Sequence, residues 1–219
     1  MILGSNEVRA LYGRTAGFYD RALLYYRLIG VDRQRRKAVE RLRLQPGDTV
    51  VDLGCGTGAN FLSLEKMIGS TGWIIGVDLS GAMLEKAEAR IRRHGWSNVD
   101  LVEADIRDYV LPPESAGVVA AFALEMVDDY DAVIERIANS MAVDARLAIL
   151  GLKLPERWPK WLVDFAIRIN RPFGVTREYA NLRPWQAVRR HMTTIEFTEL
   201  YAGAAYRCVG QPNRRTTPS

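Results

Sequence analysis

At 219 residues, with 48% hydrophobic and 26% charged side chains, the chain can bury one sizeable core without a disulfide or structural metal, and a single domain is expected. Its two cysteines, Cys55 and Cys208, have neither framework spacing nor metal-ligand companions, which argues against a disulfide scaffold or zinc site and for a reducing, cytoplasmic setting. The net charge of +4 is segregated: residues 1–45 carry +6, residues 46–150 carry −9 and residues 151–219 carry +7, so basic flanks surround an acidic middle.

The opening MILGSNEVRA lacks the charged and apolar regions of a signal peptide, and the longest uninterrupted apolar run, Val118 to Leu124, is too short to span a bilayer. Residues 1–45 read as a helical cap, with one helix from about Glu7 to Tyr26 and an amphipathic one from Asp32 to Leu44. Gln45-Pro46-Gly47-Asp48 then turns into a strand, Thr49 to Leu53, followed by a helix from about Ala59 to Ile68. Strand and helix alternate from there: Trp73 to Val77, Gly81 to Arg93, Val99 to Glu103, Gly117 to Leu124, Asp129 to Met141 and Arg146 to Leu152. That rhythm over residues 46–152 predicts a parallel sheet with right-handed crossovers. Residues 153–184 interrupt it with a Trp- and Pro-rich insertion whose helix, Pro159 to Asn170, is apolar over more than one stripe. Such a helix either packs on the sheet or forms a substrate lid, and Arg157, Lys160, Arg168 and Arg171 beside it suit contact with a lipid surface. Residues 185–210 are expected as a terminal hairpin, Thr194 to Leu200 with Ala205 to Val209, and residues 211–219 as a mobile tail.

The densest signal is TVVDLGCGTGAN, Thr49 to Asn60. An apolar strand ends in Asp52 and breaks into Gly54, Gly56 and Gly58, which let the backbone turn sharply and approach a ligand ahead of a helix N-terminus. The glycines satisfy a loose dinucleotide pattern, but Asp52 would repel a pyrophosphate. S-adenosylmethionine (SAM) has no phosphate and carries a sulfonium and an ammonium, so the carboxylate favours it. Asp78 ends the next apolar run and Asp105 the third, on the same sheet edge. They are placed to accept from the ribose hydroxyls and the adenine amino group respectively, with Ile106 packing on the ring. Cys55, Asn60, Leu79, Met83 and Ala123 complete the expected cofactor site.

At these positions the chain resembles the class I SAM-dependent methyltransferases, whose motifs match Asp52, Gly54, Gly56, Gly58, Asp78 and Asp105. The resemblance implies a Rossmann-like, mostly parallel seven-stranded sheet with an antiparallel last strand, SAM as methyl donor and S-adenosylhomocysteine as product. LYGRTAGFYDRA further resembles the opening of the small-molecule branch that includes quinone-biosynthesis enzymes and phosphatidylethanolamine N-methyltransferases. By that resemblance Tyr19, and also Tyr12, close the pocket over the methionine part of the cofactor. FALEMV after the fourth strand departs from the Gly-Arg-Asn-containing motif of the quinone enzymes.

Methyl transfer is an in-line displacement that needs no universal base, so the acceptor is less legible than the cofactor. Tyr19, Glu125 at the end of the fourth strand and His191 before the hairpin are the candidate catalytic groups. Ala123-Leu124-Glu125-Met126 stands where nucleic-acid amino-methylating enzymes of this fold carry an Asn/Asp-Pro-Pro-aromatic clamp, which argues against a nucleic-acid partner. A small hydrophobic or lipid-like acceptor, a phospholipid amine, quinone or phenol, is therefore expected, with the basic flanks meeting the inner membrane face. The alternatives are an RNA methyltransferase, a SAM-binding subunit without turnover, and a user of decarboxylated SAM.

Overall fold

A computed structural model of the chain describes residues 30–170, 175–176 and 182–213. Its helices are α1 (Val31–Arg41), α2 (Phe61–Ile68), α3 (Gly81–His94), α4 (Tyr130–Ser140), α5 (Lys160–Asn170) and α6 (Pro184–His191). The strands are β1 (Thr49–Leu53), β2 (Trp73–Asp78), β3 (Val99–Glu103), β4 (Ser115–Ala121), β5 (Arg146–Leu152), β6 (Met192–Leu200) and β7 (Ala205–Pro212). The expected helix from Glu7 to Tyr26, with Tyr12 and Tyr19, lies outside the described residues.

The seven strands form one sheet in the order β3-β2-β1-β4-β5-β7-β6. Strands β1 to β5 pair in parallel, and β7 runs antiparallel to both β5 and β6. From β1 the chain winds outward through β2 and β3, then returns to the other side of β1 through β4 and β5. The winding reverses between β1 and β4, which opens a crevice at their carboxyl ends.

Alternating apolar residues send side chains to both faces of the sheet. On one face Val50, Ile74, Val119 and Leu150 pack with Ala38 and Val39 of α1, Phe61, Leu64 and Ile68 of α2, and Ala87 of α3. On the other, Val51, Val118, Leu147, Ile149, Tyr206 and Cys208 pack with Val133, Ile134 and Ile137 of α4 and with Trp185, Ala187 and Val188 of α6. Helix α5 belongs to neither layer and buries none of its residues.

Three sequence expectations are corrected. The fourth strand ends at Ala121, because Phe122 adopts φ 60 and the chain then enters a single 3-10 turn, Leu124–Met126. Residues 185–191, expected within the hairpin, belong to α6: Pro184 sits in its first turn and Arg189, Arg190 and His191 oppose its dipole at the last. Strand β7 continues through Pro212, so 211 and 212 belong to the sheet instead of the tail.

Candidate active site

The glycine loop is held by backbone bonds from β2. The N–H groups of Gly54 and Cys55 both donate to the Val77 carbonyl, at 2.8 and 3.0 Å. Each glycine meets a different constraint. A Cβ at Gly54 would lie 2.3 Å from the Ala123 Cβ, and one at Gly58 would lie 2.6 Å from the Phe61 ring. Those two residues let β4 and α2 close on the loop. Gly56 has φ +55, and among the described residues no atom beyond its chain neighbours lies within 4 Å of its Cβ position, so it alone of the three leaves space there.

Beneath the loop Asp52 is fully buried. The Asn60 amide donates to both its oxygens, at 2.9 and 3.1 Å, and Arg35 Nη1 of α1 donates to Asn60 Oδ1 at 3.3 Å. Burial pushes the Asp52 carboxyl up to about 7, while the Asn60 bond and the Arg35 charge pull it down. Burial and the two neighbouring carboxylates, Asp52 and Asp78, hold the Cys55 thiol well above its ordinary range, so it is a neutral wall group.

The crevice is lined by Gly54, Cys55, Gly56 and Ala123 over β1 and β4, by Asp78, Leu79 and Met83 over β2, and by Asp105 and Ile106 over β3. Asp78 accepts from the N–H of Gly56 at 2.8 Å and of Ser80 at 2.9 Å, which aims it along the crevice floor. Its pKa is raised by burial against the pull of these donors. Asp105 is clamped by Arg107, whose Nη2 and Nε donate at 2.8 and 3.1 Å. Asp52, Gly58 and Asn60 do not line the crevice and act on it from behind. Sequence reasoning missed Arg35, Arg107 and Phe122, all of which do line it. The local signal for Arg107 was its position two residues after Asp105, whereas Arg35 and Phe122 arrive only through packing.

Neither Glu125 nor His191 faces the crevice. The Leu124–Met126 turn directs Glu125 into the core, where the Tyr206 hydroxyl donates to its Oε1 at 2.8 Å. His191 precedes Met192, which pairs with Pro212, whereas the crevice end of this sheet lies at Leu152, Ala205 and Leu200. Its imidazole lies 3.2 Å from Asp131 at the opposite end.

An acid-rich crevice spanning the carboxyl ends of β3, β2, β1 and β4, with an open glycine at its centre, fits a ligand that offers hydroxyls and cations. Comparison with known proteins agrees. Residues 50–143 match the family described as a methyltransferase domain. Over 191 residues the chain is 31% identical to the 2-phytyl-1,4-naphtoquinone methyltransferase of Trichormus variabilis, covering 82% of each. It is 30% identical over 151 residues to the demethylmenaquinone methyltransferase of Lactobacillus johnsonii, covering 68% of this chain and 62% of that one. Among solved structures, the geranyl diphosphate C-methyltransferase of Streptomyces coelicolor, in complex with S-adenosyl-L-homocysteine, superposes with TM-score 0.65 at 15% identity, over 82% of this chain and 78% of that one. The chain belongs to the class I SAM-dependent methyltransferases. It is an enzyme of that family, with SAM as its cofactor.

The buried acid Glu125 makes stability depend on pH. Burial raises its carboxyl from 4.5 to about 7, opposed by the Tyr206 bond and by backbone N–H groups. The folded protein thus holds this proton more tightly than the unfolded chain. The associated stability is complete below about pH 4.5 and is lost as pH rises through 7. The loss amounts to about 3 kcal/mol at about 1.4 kcal/mol per pH unit. Glu125→Gln should remove this slope: urea unfolding of variant and wild type between pH 4.5 and 8 should show their stability difference shifting in the variant's favour as pH rises. A difference independent of pH would show that Glu125 is not buried as described.

Proposed function

We propose that the enzyme methylates a hydroquinone or phenol ring carrying a hydrophobic tail. The observation that carries this reading is the 31% identity, over 82% of both chains, to a 2-phytyl-1,4-naphtoquinone methyltransferase. When bound, SAM supplies an electrophilic methyl group, and the residues of this chain have to hold it, exclude water and present the ring. Phe122, Ala123, Met126 and Val127 give the β4 side of the crevice an apolar wall suited to a flat ring. Asp78 is assigned to the ribose hydroxyls and Asp105 to the adenine amino group. Asp52 acts through Asn60, adding negative potential beneath the sulfonium. The roles expected of Tyr12 and Tyr19 fall outside the described residues.

A tailed acceptor resides in a bilayer, and α5 has a face that matches one. Leu162, Val163, Ala166 and Ile167 are half-buried. Trp161, Phe165 and Ile169, spaced four apart, are 69%, 57% and 46% exposed. Lys160 and Arg168 flank that stripe, the arrangement that an anionic lipid surface attracts. No helix among the described residues is long and apolar enough to cross a membrane, so the contact is a surface one.

Three outcomes are expected. Incubated with methyl-labelled SAM and a reduced, unmethylated prenyl naphthoquinone, the protein should transfer label to the organic phase; label found only in RNA, or none in any acceptor of an added cell extract, would replace this reading. Asp78→Ala should weaken S-adenosylhomocysteine binding roughly 10- to 100-fold in calorimetry, the range for lost hydrogen bonds to a charged group; unchanged affinity would remove its ribose assignment. The full chain should co-sediment with phosphatidylglycerol vesicles in a salt-sensitive manner, and the Trp161→Ala, Phe165→Ala pair should abolish this. Equal sedimentation of that double variant would return α5 to a purely structural part.

A further inference from the structure

Arg35 is a charged residue of the crevice, and no sequence motif announced it. It projects from α1 over the β1–β4 end, the opposite end from Asp105. Its guanidinium carbon lies 5.1 Å from the centre of the Phe122 ring, and Nη1 donates to Asn60 Oδ1 at 3.3 Å. Its Nε is buried with no hydrogen-bond partner among the described residues. A guanidinium has five N–H donors in a fixed fork, and one long bond leaves most of them unused. The second cation lining the crevice, Arg107, is by contrast committed to Asp105 and also reaches Asp128 at 3.4 Å.

The order of groups along the crevice decides what Arg35 meets. Asp105 stands over β3 and Asp78 over β2, so a ligand with its adenine at the first and ribose at the second extends its methionine over β1 and β4. That tail carries one anion, the α-carboxylate. Asp52, buried below the loop, attracts the sulfonium and ammonium but repels the carboxylate. A planar guanidinium fixed on an aromatic ring is the complement the carboxylate lacks.

We propose that Arg35 binds the α-carboxylate of SAM and so sets the enzyme's preference for SAM over its decarboxylated form. The assignment depends on the cofactor and not on the acceptor. Wild-type protein should bind SAM roughly 10- to 100-fold more tightly than decarboxylated SAM in calorimetry, the range for a charge-assisted bond. Arg35→Met should lower SAM affinity by that factor, leave decarboxylated SAM within about threefold, and so lose the discrimination; Arg35→Lys should keep part of it. Discrimination that survives in Arg35→Met would place the carboxylate elsewhere and overturn the proposal. Equal loss of both ligands would overturn it too, making Arg35 a prop for Phe122 and Asn60. Unchanged SAM affinity with a raised KM for the acceptor would reassign Arg35 to the acceptor.

Discussion

The contact between the buried Asp52 carboxylate and the Asn60 amide is the joint on which the cofactor half of the molecule depends. It ties the last turn of the glycine loop back to β1, so the loop closes around a polar pair that water does not reach. A carboxylate in such a place costs several kcal/mol unless it is bonded or neutralised. Burial outweighs the opposing Asn60 bond and Arg35 charge and pushes the carboxyl up to about 7, so at neutral pH its protonated and ionised forms are close in free energy. In the proposed pose a sulfonium and an ammonium would favour the ionised form, and by linkage the ionised form would hold those cations more tightly. On that assignment Asp52 supplies negative potential from beneath the crevice without itself being exposed to it.

Around that joint the sheet sets distances that the motif alone does not. Gly54 must admit Ala123, and Gly58 must admit Phe61, before the loop reaches its shape, so two of the three motif glycines answer to packing, while Gly56 leaves open space among the described residues. Phe122 is the cost on the β4 side: a non-glycine residue at φ 60, held there with its N–H donating to the Leu150 carbonyl at 2.7 Å. Ending β4 in this way leaves the Phe122 ring in the crevice wall, beneath the Arg35 guanidinium. Glu125, three residues on, is carried in the opposite direction by the 3-10 turn and spends its carboxyl on Tyr206.

What was legible in the chain follows from this division. Asp78 and Asp105 could be read because each closes an apolar run, and a parallel sheet brings the ends of all such runs to one edge; the strands β1, β3 and β5 match their expected limits for the same reason. Arg35 could not, since it reaches the site from a helix that precedes the motif and looks, in sequence, like one of several arginines on a solvated face. Glu125 misled because the chain leaves the strand for a 3-10 turn that carries its side chain into the core against Tyr206, and His191 because the topology sends the start of β6 to the far end of the sheet. Helix α6 did leave signals, proline in the first turn and three basic residues in the last, but eight residues are too few for periodicity to outweigh an adjacent strand pattern.

The same division explains why cofactor and acceptor are recognised by different kinds of evidence. A SAM site must meet a fixed ligand, so its residues recur at fixed places on the sheet. The likeness to a geranyl diphosphate C-methyltransferase at 15% identity shows that fold and nothing of the acceptor. Displacement at a sulfonium asks mainly for alignment and dryness, so an acceptor wall can be built from whatever apolar groups the fold brings near, and Phe122, Met126 and Val127 are the apolar groups proposed for it here. The chemistry constrains the acceptor side by shape and solubility more than by residue type. On the proposed reading of a tailed acceptor, α5, which lies outside both layers of the core with Trp161, Phe165 and Ile169 exposed, would bear on substrate choice as much as any group in the crevice, because a ring leaving a bilayer needs an apolar surface to cross before it reaches the methyl group.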